Sequence, residues 1–590
     1  MGRFQAHTAP AWARAAVEAI ATEVGKTVTL PDLRSMMFAS AVAPPRAEMG
    51  DLAVPMFQFA KLLKQPPPKL AQEIATTLHS PLVTFSAAGP YVNVHAKRDI
   101  VLKEVVAELA ARASDFGHQA LDPEKVAVID YSSPNIAKPL AFHHIRSTMI
   151  GNSIARILAA AGYTVHGTNF LGDWGTQFGY MIAAHENDAP EDFAKLTLDD
   201  FVKTYVAERA KAKLDPAVDQ RARDAFARLE KGDTEARRVW KKAREASLER
   251  FKKVYAILGV HFDEDKYIGE SFFENALAGV IAEAQAKGIT SESEGALIVD
   301  LSAYGIETPC LLRKSDGATL YATRDVAAAK FRHDAFGGEA KQWQSLYVVD
   351  LGQSLHFKQV FKVMELLGYD YADRLKHIPF GILLMWSEEE QAWIKGKTRS
   401  GHSISLEEML DEATKRVLTI IDERSPDLDN KHAIAQAIGV GAVVFNDLKH
   451  KRTNDVKFKF DEALSLEGET GPYIHNALVR TKSILRKAGR APSPHADLSL
   501  LTHAREGELA MIMVSYADVI QRAAMEYDPS LIARFTLDLA GAFHAFHHDC
   551  YVIDPENLPL TDARLALVHA VMQVLENAMH LIGLKPIEAM

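Results

Sequence analysis

Apolar residues recur along this chain with two alternating periods. The run "VAVID" at 126–130 is short and β-branched, and "RSTMIGNSIARILAAAGY" then sets Met149, Ile150, Ile154, Ile157 and Leu158 at helical spacing. "TVHGTNF" reads as a second strand, so the stretch predicts a βαβ unit with "YSSPNIAKPLAFHH" where the strand hands over to its helix. Unpaired backbone N–H groups and the positive end of the helix dipole make such a point attractive to phosphate.

The same periods organise the rest. An alanine-rich helix opens the chain, "APPRAEMGDLAVPMFQFAKLL" reads as a proline-interrupted loop entering a second helix, and "PLVTFSAAGPYVNVHAK" reads as strand, turn, strand. This predicts a small α+β domain over residues 1–120, followed by the linker "SDFGHQALDPEK". Strands then alternate with helices to about Phe460, predicting a parallel sheet in a domain over 121–464. A charged helical insertion near 188–257 interrupts it, and its charges are read as a solvated face. Further on, "PCLLRKSDGATLYATRD" predicts a hairpin turned at Asp316-Gly317, "SLYVVD" a strand feeding the helix "HFKQVFKVMELLGY", and "IPFGILL" another buried strand. "WIKGKTRSGHSISLEEML" is a basic loop closed by a Ser405/Glu408 capping box, and residues 465–590 read as helical.

Composition narrows the class. With 590 residues, 48% of them hydrophobic, several cores can form. A net charge of -10 argues against nonspecific polyanion binding by the molecule as a whole, so any nucleic-acid contact must come from local basic segments. "KHKRTNDVKFKF" and "RTKSILRKAGR" are the candidates. Cys310 and Cys550 lie far apart without metal-ligand spacing, which suits a reducing compartment. No apolar run is read as membrane-spanning, and "MGRFQAHTAP" lacks a signal-peptide core, so a cytoplasmic protein with no membrane partner is expected. His544, His547, His548 and Cys550 fall within two helical turns but lack a closed structural-site spacing, so no metal site is expected there.

"SSPNIAK", "IRST", "NFLGDWGTQFG", "GES", "SDGATLYATRD", "FGILL" and "EGETGPY" occur in this order and spacing in the arginyl-tRNA synthetases, which the chain resembles over essentially its whole length. The resemblance implies a class I synthetase Rossmann catalytic core, an N-terminal α+β domain that contacts tRNA, and a C-terminal all-helical anticodon-binding domain. It implies an ATP-dependent ligase joining L-arginine to its tRNA, with Mg2+ assisting and a monomer as the working state.

A guanidinium is a rigid fork of donors that carboxylates meet well. The resemblance assigns its recognition to Glu270 of "GES" and Asp325 of "YATRD", with Tyr321 beside them and Asn135 and Gln353 holding the amino-acid backbone. For ATP it implies His144, Gly172 and Asp173 of "GDWG", Phe380 and Gly381 of "FGILL", and Lys395 and Lys397 of the lysine loop. Gly172 is read as letting backbone approach the nucleotide.

Two motifs depart from the family pattern. His-x-Gly-His becomes Ala141, Phe142, His143, His144, and Lys-Met-Ser-Lys-Ser becomes Lys395, Gly396, Lys397, Thr398, Arg399. The catalytic set implied is then Lys138, His143, His144, Lys397 and Arg399, with Lys138 compensating for the missing loop lysine. Pro139 disfavours helix at Lys138, so residues 141–144 are expected to be loop, which frees His143 to turn toward phosphate. A synthetase-like RNA-binding or regulatory protein with impaired catalysis is the competing reading, and a class I synthetase for another amino acid is disfavoured by the paired acids.

Overall fold

The computed structural model describes residues 11–27, 32–42, 44–315, 317, 319–388, 390–395, 404–493 and 495–590. The chain divides into two compact units, one of residues 121–465 with 582–585, the other of residues 1–120, 466–581 and 586–590.

The first unit is built on a four-stranded parallel sheet in the order Leu375–His377, Gln342–Tyr347, Lys125–Asp130, Thr164–Thr168. Lys125–Asp130 is buried nearly throughout, as a central parallel strand must be, which is why it reads as an unbroken apolar run. The helix His144–Ala160 returns the chain to Thr164–Thr168 and buries Met149, Ile150, Ile154, Ile157 and Leu158. On the other side of the central strand lies Gln342–Tyr347, so the chain switches direction of travel between these two strands. Ligand crevices open at such switch points.

The insertion is helical, as Leu198–Ala212, Pro216–Glu230 and Thr234–Leu258. Its charges are not all solvated. Thr234–Leu258 buries Val239, Ala243, Ser247, Phe251 and Val254, and turns Trp240, Arg244 and Tyr255 toward the loops that follow the central strands. Two strand readings also need correction. "YATRD" opens the helix Tyr321–Ala335, and only an isolated bridge, Arg313 to Thr319, remains of the expected hairpin, whose Asp316 lies outside the described residues. "IPFGILL" is broken: Leu383–Ser387 is a strand, but Phe380 makes only a single bridge to Asp350. Gly381 lies at the break, where Asn454 O would lie 2.5 Å from a Cβ.

In the second unit, Val83–Ala88 and Tyr91–Ala96 form the expected hairpin, joined by the edge strand Leu52–Pro55. The C-terminal part is helical, from Gly471–Ala488 to Leu558–Leu581. Leu558–Leu581 is long and apolar enough to cross a membrane, contrary to the expectation that no segment would be, yet its apolar residues from Leu565 to Leu581, Met572 apart, are buried in the bundle. The basic segment 480–490 is largely engaged within this unit. Lys482 Nζ meets Glu576 at 2.7 Å and Glu588 at 2.5 Å, Arg486 donates to Glu588 O, and Arg490 pairs with Asp562 at 2.5 Å.

Candidate active site

The loop after the central strand is unusual in its backbone. Ser132, Ser133 and Ala137 all have positive φ (69°, 47° and 59°), a strained choice for residues with a Cβ. Buried polar bonds hold each one. Ser132 N donates to Ser147 Oγ and its hydroxyl bonds Tyr255 OH, Ser133 N donates to Asn169 Oδ1, and Ala137 N donates to Ser247 Oγ, all at 2.7–3.1 Å. Asp130 anchors the same loop. Its carboxylate accepts Ser133 Oγ at 2.9 Å and Phe170 N at 3.2 Å, and pairs with buried Arg332 at 3.0 Å.

Beside this loop lies a cavity of about 450 Å³, lined among others by Ser132, Ser133, His143, His144, Asp350, Phe380, Gly381, Ile382 and Lys395. Residues 142 and 143 form a turn and the helix starts at His144, so the loop expected over 141–144 ends one residue early, and His143 already has helical φ and ψ of -69° and -16°. Both histidine rings face the cavity, stacked at 4.6 Å. His144 Nδ1 lies 2.9 Å from Ala141 N and 3.1 Å from Ala141 O, so the backbone of Ala141 holds the ring in place. Burial, with His143 adding to it, pushes His144 down to about 4, and burial together with the Lys395 ammonium lowers His143 while Asp350 opposes. At neutral pH both are neutral hydrogen-bond donors.

Arg146 also lines the cavity, but its guanidinium is committed elsewhere. It donates to Gly381 O at 2.6 Å, Asn454 O at 2.9 Å and Arg452 O at 3.2 Å, and pairs with buried Asp447 at 2.8 Å. It is the buttress for the Phe380-Gly381 wall, and sequence reading missed it.

Two of the expected nucleotide residues do other work. The Asp173 carboxylate is fully buried, accepting Ser271 N at 2.9 Å, Ser271 Oγ at 2.8 Å and Arg244 Nε at 3.2 Å. It fixes the "GES" turn from behind. Gly172 is needed because Asn135 Oδ1 would lie 1.8 Å from a Cβ there, so its absent side chain accommodates Asn135. Asn135 itself is exposed, bridged to Gly172 as two parallel strands would be.

Glu270, fixed by that turn, is 7% exposed, and among the described residues its carboxylate has no hydrogen-bond or ion-pair partner. Burial pushes it up to about 7, with Arg324 opposing and Asp173 and Asp325 adding to the rise. Asp325 sits one turn into Tyr321–Ala335 and accepts a hydrogen bond from His356 Nε2 at 2.5 Å. Tyr321, on the same helical face, is 64% exposed, and Gln353 is exposed just before the helix Ser354–Leu367. Lys138 is exposed, its ammonium 5.9 Å from the Tyr205 ring centre, and does not line the cavity. Lys397 and Arg399 lie outside the described residues.

A cavity at the switch point of a parallel sheet, walled by a histidine-bearing helix start, is where nucleotide-using α/β enzymes hold their ligand. The family profile described as "tRNA synthetases class I (R), catalytic domain" matches residues 105–460, the "Arginyl tRNA synthetase N terminal domain" matches 15–96, and the "DALR anticodon binding domain" matches 474–590. The arginine–tRNA ligase of Alkaliphilus metalliredigens is 40% identical over 550 residues, covering 93% of this chain and 95% of that protein. That of Clostridium botulinum (strain 657) is 38% identical over 549 residues with the same coverage. Thermus thermophilus arginyl-tRNA synthetase superposes with a TM-score of 0.78 at 26% identity, over 98% of this chain and all of that one. The chain belongs to the arginyl-tRNA synthetase family.

Proposed function

We propose that Glu270 and Asp325 hold the guanidinium of arginine while the cavity beside His143 and His144 holds ATP. The chain ligates L-arginine to its tRNA with ATP as substrate. The arginine carboxylate attacks the α-phosphate, pyrophosphate leaves, and a terminal hydroxyl of the tRNA then displaces AMP from the arginyl-adenylate. Little covalent work falls to the protein in such a transfer, so positioning and charge carry it. His143 and His144 donate N–H bonds to phosphate oxygens, Lys395 supplies positive charge, and Phe380, Gly381 and Ile382 form the wall for the base. Lys138, Lys397 and Arg399 complete the cationic set, Asn135 and Gln353 hold the backbone of the amino acid, and Tyr321 covers the guanidinium.

The single observation that carries this reading is Glu270, a buried acid with no hydrogen bond or ion pair to its carboxylate among the described residues. Burying an unpaired acid is costly unless a ligand supplies the cation. Mg2+ enters with the nucleotide as part of the substrate, because the described residues hold no cluster of three metal-ligating side chains and Asp350, the one carboxylate lining the cavity, already accepts Gly352 N at 2.8 Å. Residues 1–120 are assigned to tRNA contact, 121–464 to catalysis and 465–590 to the anticodon, in a cytoplasmic monomer with no membrane partner.

Charging of total tRNA with arginine against the other amino acids tests the activity, and Asp325→Asn tests the pocket. The variant should lose arginine efficiency by a factor equivalent to several kcal/mol, about 3–5, as for breaking a buried charged contact. Unchanged efficiency would remove Asp325 from the site.

A further inference from the structure

We propose that His356 is a positioning residue for arginine recognition, holding one oxygen of Asp325 so that the other is aimed at the guanidinium. This rests on the reading that Asp325 faces that group. Asp325 and His356 lie on different helices, Tyr321–Ala335 and Ser354–Leu367, each close to its N-terminus. Their contact, 2.5 Å from Nε2 to Oδ2, joins two half-buried side chains, 16% exposed for Asp325 and 23% for His356. An ionised carboxylate only accepts, so the proton lies on Nε2. His356 is therefore the donor in this pair, and Asp325 the acceptor.

The consequence is a division between the two acids. Asp325 has one oxygen committed to His356 and one left, which suits a single-point contact. Glu270 has both oxygens without a partner among the described residues, which suits the two-bond fork that a guanidinium prefers. A carboxylate held at one oxygen cannot rotate about its terminal torsion, so its remaining lone pairs are already oriented when arginine arrives. The same bond ties Asp325 to the helix start next to Gln353, coupling the guanidinium end of the pocket to the end assigned to the amino-acid backbone. Cys310 cannot replace this donor. Burial, with Asp325 adding to it, pushes its thiol up to about 12, and it remains a weakly donating S–H.

His356→Ala and His356→Gln, with Asp325→Asn alongside, test this in the full chain with tRNA present. His356→Ala should raise KM for arginine by about 10- to 100-fold while KM for ATP and kcat at saturating arginine stay within about twofold. His356→Gln, whose amide N–H reaches the place of Nε2, should recover arginine KM to within about fivefold of the parent. If the histidine merely clamped the helices, His356→Ala would lower thermal stability and disturb arginine KM, ATP KM and kcat together, and that outcome overturns the proposal. Asp325→Asn separates the two levels. If it raises arginine KM and His356→Ala does not, His356 has no positioning role and the pocket reading stands; if Asp325→Asn leaves arginine KM unchanged, both fall.

Discussion

Glu270 shows how a single buried residue can record the substrate it waits for. Its carboxylate, pushed up to about 7, is half protonated near neutrality in the free protein. Pairing with a guanidinium requires the anion, so arginine binding must release the proton below that value. KM for arginine should then rise by about tenfold per pH unit as pH falls below about 7, and Glu270→Gln should abolish that dependence while raising KM at every pH. Steady-state kinetics between pH 5.5 and 8.5 would show it, and a flat arginine KM would count against Glu270 as a ligand. The stability effect has the opposite direction. A folded-state pKa above the unfolded one means that folding loses stability as pH rises from about 4.5 to about 7, so Glu270→Gln should stabilise the free protein at pH 8 by up to about 3 kcal/mol. Glu270 and Asp325 are proposed from contiguous motifs, which a sequence displays. The contacts of Asp173 are not displayed there, since they reach Ser271 and Arg244, 98 and 71 residues away. His356 was invisible for the same reason, its partner lying 31 residues earlier on another helix.

At the level of elements, local signals were read well where a local force decides. The Ser405/Glu408 capping box is present, with Ser405 Oγ accepting Glu408 N at 3.1 Å, and the helix after "AFHH" starts where Pro139 allows. The hairpin reading of "SDGATLYATRD" failed because Asp-Gly is only a turn signal, while Ala322, Val326 and Ala329 are spaced to bury one face of a helix. "IPFGILL" failed because an apolar run says nothing of the carbonyls that approach it, here those of Asn454 and Arg452. Arg146 holds that broken strand in place. Arg146→Ala should cost about 3–5 kcal/mol in denaturant unfolding, because it leaves Asp447 charged and alone in the core, and replacing both partners with apolar residues should recover only part of the loss, since Gly381 O, Asn454 O and Arg452 O still lack their donor. The helix start itself can be tested through its histidines. His143→Ala and His144→Ala should each slow adenylate formation by about 10- to 1000-fold in single-turnover assays, equivalent to roughly 1.4–4 kcal/mol of phosphate stabilisation. His143→Gly should also lose activity, although it brings the motif closer to the family pattern, unless Ala141→His is added. If His143→Gly matches the parent, His144 and the lysines carry the phosphates without it.

For the whole molecule the question is how a chain with a net charge of -10 works on a polyanion. The segment 480–490 looked basic in sequence, but Lys482, Arg486 and Arg490 meet Glu576, Glu588 and Asp562 within their own unit, contacts that sequence separation concealed. Around 449–459, Arg452 donates to Pro379 O at 2.7 Å, while Lys457 and Lys459 lie 5.2 and 5.8 Å from the ring centres of Trp393 and Trp386. Part of the positive charge of both segments is thus already engaged within the protein. Binding energy from a correctly docked tRNA is instead available to complete the site, which without substrates holds Glu270 half protonated and its histidines neutral. Adenylate formation should therefore wait for tRNA. Arginine-dependent exchange of pyrophosphate into ATP should be at least about 100-fold slower without tRNA than with it, equivalent to about 2.7 kcal/mol of barrier. A tRNA for another amino acid should not restore it, because charge alone is not the trigger. Robust exchange from the protein, arginine and ATP alone would mean that the pocket is already complete, and the role of tRNA would then be limited to accepting the arginyl group.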